Sequence, residues 1–102
     1  MAKPVTITIS HELGKDAAKS RIDNGFQKVG DRLGFGLTIN QRWQSDTMHF
    51  DARAMGQTIE GTLEVHEANV VITIMLPMLL AGMAETIKAK LQKESTLLLE
   101  KK

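Results

Sequence analysis

From Leu37 to Leu76 the apolar residues fall into four short runs of alternating parity, and this alternation admits very few folds. Leu37, Ile39 and Trp43 sit at odd positions, Met48, Phe50, Ala52 and Ala54 at even ones, Ile59, Gly61, Leu63 and Val65 at odd, and Val70, Ile72, Ile74 and Leu76 at even. Period-two alternation marks strands with one buried face. Partners on neighbouring antiparallel strands have a constant sum of residue numbers and must share a face, so each hairpin here needs an odd sum. A turn centred on Met55-Gly56 pairs Ala52 with Ile59, Phe50 with Gly61 and Met48 with Leu63. A turn at Glu67-Ala68 pairs Val65 with Val70 and Leu63 with Ile72. A four-residue loop, Gln44 to Thr47, sets Trp43 opposite Met48 and Ile39 opposite Ala52. All three satisfy the rule, which predicts a four-stranded meander with one apolar face. Within it the Phe50 ring can lie over the side chain that Gly61 lacks.

Two amphipathic segments flank the meander and supply its cover. Val5, Ile7 and Ile9 alternate with Thr6 and Thr8 in a first strand. From Lys15 to about Leu33, Ala18, Ile22, Phe26, Val29 and Leu33 recur at spacings of three and four, with Lys15, Lys19, Asp23, Gln27 and Asp31 on the other side. That spacing predicts a helix. Gly25 and Gly30 weaken it by roughly 1 kcal/mol each, so packing on the sheet must hold it, and Gly34 and Gly36 can stop it. Pro77 suits the first turn of a second helix, expected to run to about Lys93 with Leu80, Met83, Ala84, Ile87 and Leu91 on one stripe. The tail "STLLLEKK" sets three leucines in succession, which no single face can bury. The expected fold is an α+β single domain over residues 1–102, of order β-α-β-β-β-β-α, an antiparallel sheet with both helices packed on one face. The first strand is expected at an edge beside the last, which lets the long first helix cross the apolar face.

A chain of 102 residues buries a core but is small for two domains. With 42% hydrophobic and 25% charged residues and a net charge of +1, it has neither the profile of a disordered chain nor that of a polyanion binder. Both predicted helices are mildly positive and the segment between them is negative. The absence of cysteine removes disulfides, thiolate chemistry and the commonest zinc sites. The N-terminus lacks the apolar core of a signal peptide, and Pro77 divides the longest uncharged run, Asn69 to Ala84, so no membrane span and a cytoplasmic location are expected.

The second sheet face collects Arg42, His49, Asp51, Arg53, Glu60, Thr62 and Glu64, with Asp51 opposite Glu60 and His49 opposite Thr62. A histidine and a carboxylate two residues along one strand can act as a general base or part of a metal site. A solvated antiparallel face accounts for the same residues, no nucleophile accompanies them, and an open sheet does not exclude water. His11 and His66 fall at a strand end and a turn, and no two histidines share a ligand-like spacing. "GFG" at Gly34 to Gly36 follows a helix instead of opening one, against a phosphate loop. Four aromatic residues without tyrosine give little base-stacking equipment, so no nucleic acid is expected. The run "MLPMLLAGMA", Met75 to Ala84, reads either as a core strand passing into a buried helix start or as a sticky surface. "TLLL" can extend that surface or close the open end of the core, and a homodimer contact would use the same residues.

"HELGKDAAKSRI" after the first strand, "RAMGQTIEGTLEV" in the hairpin, "LPMLLAGMAETIK" at the last helix and the ending "STLLLEKK" together resemble the small bacterial polyhydroxyalkanoic acid system proteins, also described as granule regulators. The resemblance spans nearly the whole chain. It implies a non-enzymatic accessory or regulatory protein of polyhydroxyalkanoate storage, partnered by the granule or its proteins, with no catalytic residues, cofactor or metal. The contact residues expected on this reading are Met75, Met78, Leu79, Leu80, Met83, Leu97, Leu98 and Leu99. Two alternatives stand beside it. One is a helix-grip-like module enclosing a hydrophobic ligand between sheet and last helix. The other is an enzyme using His49 and Asp51.

Overall fold

The computed structural model describes residues 3–32, 38–54 and 56–100. Five strands, β1 (Lys3–Ser10), β2 (Thr38–Gln44), β3 (Thr47–Ala54), β4 (Gln57–Val65) and β5 (Asn69–Leu76), form one antiparallel sheet of order β1-β5-β4-β3-β2. The first strand therefore lies at the edge beside the last, as its connection requires. Every pairing derived from parity is present: Ala52 with Ile59, Phe50 with Gly61, Met48 with Leu63, Val65 with Val70, Leu63 with Ile72, Trp43 with Met48 and Ile39 with Ala52. The β2–β3 connection is tighter than a four-residue loop, because Gln44 also pairs with Thr47, leaving Ser45 and Asp46 as the turn. Ser45 adopts φ 58°, the left-handed conformation such two-residue turns use.

Helices α1 (Lys15–Arg32) and α2 (Ala84–Leu98) pack on the apolar face and on each other. The layer between holds Val5, Ile7, Ile9, Met48, Phe50, Leu63, Ile72 and Leu76 from the sheet, Ala18, Ile22 and Phe26 from α1, and Ile87 and Leu91 from α2. Phe26 meets Phe50 with ring centroids 5.0 Å apart and planes tilted by 60°. A Cβ on Gly61 would stand 2.6 Å from both the Phe50 ring and the Thr73 carbonyl oxygen, so this pair fits only because glycine occupies the site. Leu33, the stop expected at Gly34 and Gly36, Leu37 and Met55 lie outside the described residues.

The second helix departs from expectation at both ends. Pro77 caps a 3-10 helix, Met78–Met83, in which Leu80 N–H donates to the Pro77 carbonyl at 2.9 Å, and α2 begins only at Ala84. Three residues per turn stack i with i+3, which turns Leu80 and Met83 to the core together. At the other end α2 runs five residues beyond Lys93. Ser95 sits four after Leu91 and is buried, so a polar residue occupies the stripe where an apolar one would have announced its continuation. Arg21 of α1 closes this end, its Nη1 donating to the carbonyls of Leu98 and Glu100 at 3.3 and 2.6 Å.

Candidate functional site

Two surfaces carry the residues singled out from the sequence. The outer face of the sheet, opposite the helices, is a concavity of about 550 Å³ bordered by Arg42, His49, Asp51, Arg53, Glu60 and Met75. Strand alternation puts them there, since their neighbours Phe50, Ala52, Ile59 and Ile74 point into the core. The registers arrange them in rows across the strands. One row runs Asn40, Asp51, Glu60, Met75, and the next runs Arg42, His49, Thr62, Thr73. Asn40 donates to Asp51 at 3.4 Å, while Arg42, Arg53 and Glu60 have no hydrogen-bond or ion-pair partner among the described residues. His49 and Asp51 are thus brought to one open face, both half-buried, with Thr62 directly opposite His49. Among the described residues no three His, Asp or Glu side chains converge to hold a metal ion.

The eight expected contact residues do not form one patch. Met75 (40% exposed) points to the outer sheet face, Met78 (66%) projects from the 3-10 helix and Leu97 (50%) from the last turn of α2. Leu80 and Leu99 are core residues at 3% exposure, and Met83 and Leu98 pack partly buried against that core. Leu79 lies in the 3-10 helix. Leucines in succession on a helix step around its axis, which divides 97–99 between solvent and core. Met78 and Leu97 are held apart by α2, whose fifteen residues span about 20 Å. The Cα atoms of Met75 and Met78, three residues apart, lie within about 11 Å of each other, on either side of the corner where the chain passes at Pro77 from β5 into the 3-10 helix.

His11 proves to be an internal fastening. It is buried, its Nε2 donates to the His66 carbonyl at 3.0 Å, and its Nδ1 accepts the Leu13 N–H at 3.2 Å. This engages both ring nitrogens and joins the end of β1, the segment leading into α1 and the β4–β5 turn. A second cavity of about 250 Å³ lies beside it, bordered by Ser10, Glu12, Thr96 and Leu99. Neither of these two cavities opens between the sheet and the middle of α2, where Ala84, Ile87 and Leu91 are 4–5% exposed. The histidine signal was present in the sequence, but nothing in its spacing tells a fastening from a surface residue.

An antiparallel sheet with two helices on one face and a polar concavity on the other defines a small α+β protein. The family model for the putative polyhydroxyalkanoic acid system protein matches residues 5–99, and the chain belongs to that family. Comparison with curated proteins and with solved structures gives no match. No helix among the described residues is long and apolar enough to cross a membrane.

Proposed function

We infer that this protein is a non-enzymatic, cytoplasmic accessory component of the polyhydroxyalkanoate storage system, acting at the granule or on its proteins through exposed apolar side chains. Family membership over residues 5–99 supports the system, and the Met75–Met78 corner supplies the contact. Methionine side chains are flexible and polarisable and suit irregular apolar surfaces such as a polyester or the coat proteins on it. The corner is set by the fold: Ile74 and Leu76 anchor β5 in the core, so Met75 must face outward, and Pro77 redirects the chain so that Met78 stands free. Wild-type protein mixed with purified granules is expected to sediment with them, and Met75→Glu combined with Met78→Glu to reduce the bound fraction severalfold while leaving the circular dichroism spectrum unchanged. Wild-type protein that stays in the supernatant would overturn granule contact.

A further inference from the structure

The geometry points to β2 as the edge through which two copies of this chain pair, giving a dimer with one continuous sheet. The sheet ends in β1 and β2, and the two ends differ. β1 carries Pro4, which has no N–H to donate and so blunts that edge. β2 holds no proline or glycine and pairs residue for residue with β3 over all seven positions, without a bulge. Its outer side presents a regular row of backbone donors and acceptors, the template that another strand needs.

The occupant is a second copy because the strand complements itself. Antiparallel pairing of β2 with β2 needs an even sum of residue numbers, so that core-facing residues meet core-facing residues and outward N–H groups meet outward C=O groups. Of the even sums, the register centred on Gln41 engages all seven residues, whereas centring on Asn40 or Arg42 loses the ends, and the latter sets arginine against arginine. With Gln41 on the twofold axis, Ile39 faces Trp43 of the second copy, an aromatic and β-branched pair. Both are only partly buried at the sheet margin in one copy, and this pairing covers them.

The charges agree with the same register. Within one copy Asp51 lies directly opposite Glu60, an unfavourable like-charge pair, and Arg42 lies beside His49 with no anion bound to it among the described residues. Centring on Gln41 joins these rows end to end, so that Glu60–Asp51–Asn40 of one copy continues into Arg42–His49 of the other, twice by symmetry. Asn40 already donates its amide N–H to Asp51. Its carbonyl oxygen is left to accept from the incoming Arg42 guanidinium, which links cation to carboxylate across the dyad. The contact uses neither Met75 nor Met78.

Sedimentation equilibrium and oxidative cross-linking test this together. Wild type is expected to rise from 11.3 kDa toward twice that mass as concentration increases from micromolar to near-millimolar. Arg42→Glu should weaken association about tenfold or more, and adding Asp51→Lys to it should restore the dimer. The chain has no native cysteine, so Gln41→Cys places one thiol opposite its own copy and should give a covalent dimer on oxidation, with Arg42→Cys, offset from its copy, lagging well behind. A wild type that stays at 11.3 kDa throughout would overturn the proposal. So would a dimer indifferent to Arg42→Glu in which Gln41→Cys does not cross-link.

Discussion

Asp46, at the turn between β2 and β3, holds two lysines from α1: Lys15 Nζ at 3.1 Å and Lys19 Nζ at 3.2 Å. Lys19 also lies 5.2 Å from the centre of the Trp43 ring, whose Nε1 donates to Asp23 of α1 at 2.9 Å. These bonds tie the helix to the hairpin. The hydrogen bonds from Lys15 and Lys19 hold the Asp46 carboxyl below its usual range, and the bond to Asp46 raises Lys15. Since folding lowers the Asp46 pKa, its contribution to stability is present above the usual carboxylate range and disappears as pH falls through the lowered value. Wild type should therefore melt above Asp46→Asn at neutral pH, with the gap closing below about pH 4. A gap that persists unchanged into strong acid would contradict this role, and salt should narrow it at neutral pH. None of this was legible in the sequence, because surface charges follow no periodicity and Lys15, Lys19 and Asp46 meet only after the sheet has formed.

At the scale of elements, strands were far more legible than helices. A strand's faces alternate strictly, so one parity rule delivered the order of the meander and each tested register. The helical stripes were read where apolar residues filled them, at Ala18, Ile22 and Phe26, and lost where Ser95 interrupted the pattern. Gly25 was read as a weak point in α1 and proves to be where α2 approaches: a Cβ there would collide with the Leu98 side chain. Glycine to alanine in an exposed helix interior ordinarily gains about 1 kcal/mol. Here Gly25→Ala should gain clearly less in wild type than in a Leu98→Ala background, a difference measurable by urea denaturation as a double-mutant cycle. Equal gains in both backgrounds would mean that the helices do not meet at this point.

For the whole molecule, burial separates two kinds of surface that the sequence had merged. The run from Met75 to Met83 contributes core and corner alternately, because a strand, a proline and a 3-10 turn each rotate successive side chains differently. What the sequence could supply was the set of apolar residues, while their exposure depended on packing of the whole chain. The proposed function has this molecule work by contact and not by chemistry on its outer face. Two variants should be returned to polymer-accumulating cells lacking the native protein, with granule number and size counted by electron microscopy. His49→Ala is expected to restore the wild-type granule distribution, and Met75→Glu with Met78→Glu to leave it as in cells without the protein. The reverse pattern, with both variants folded and present at wild-type levels, would contradict the account.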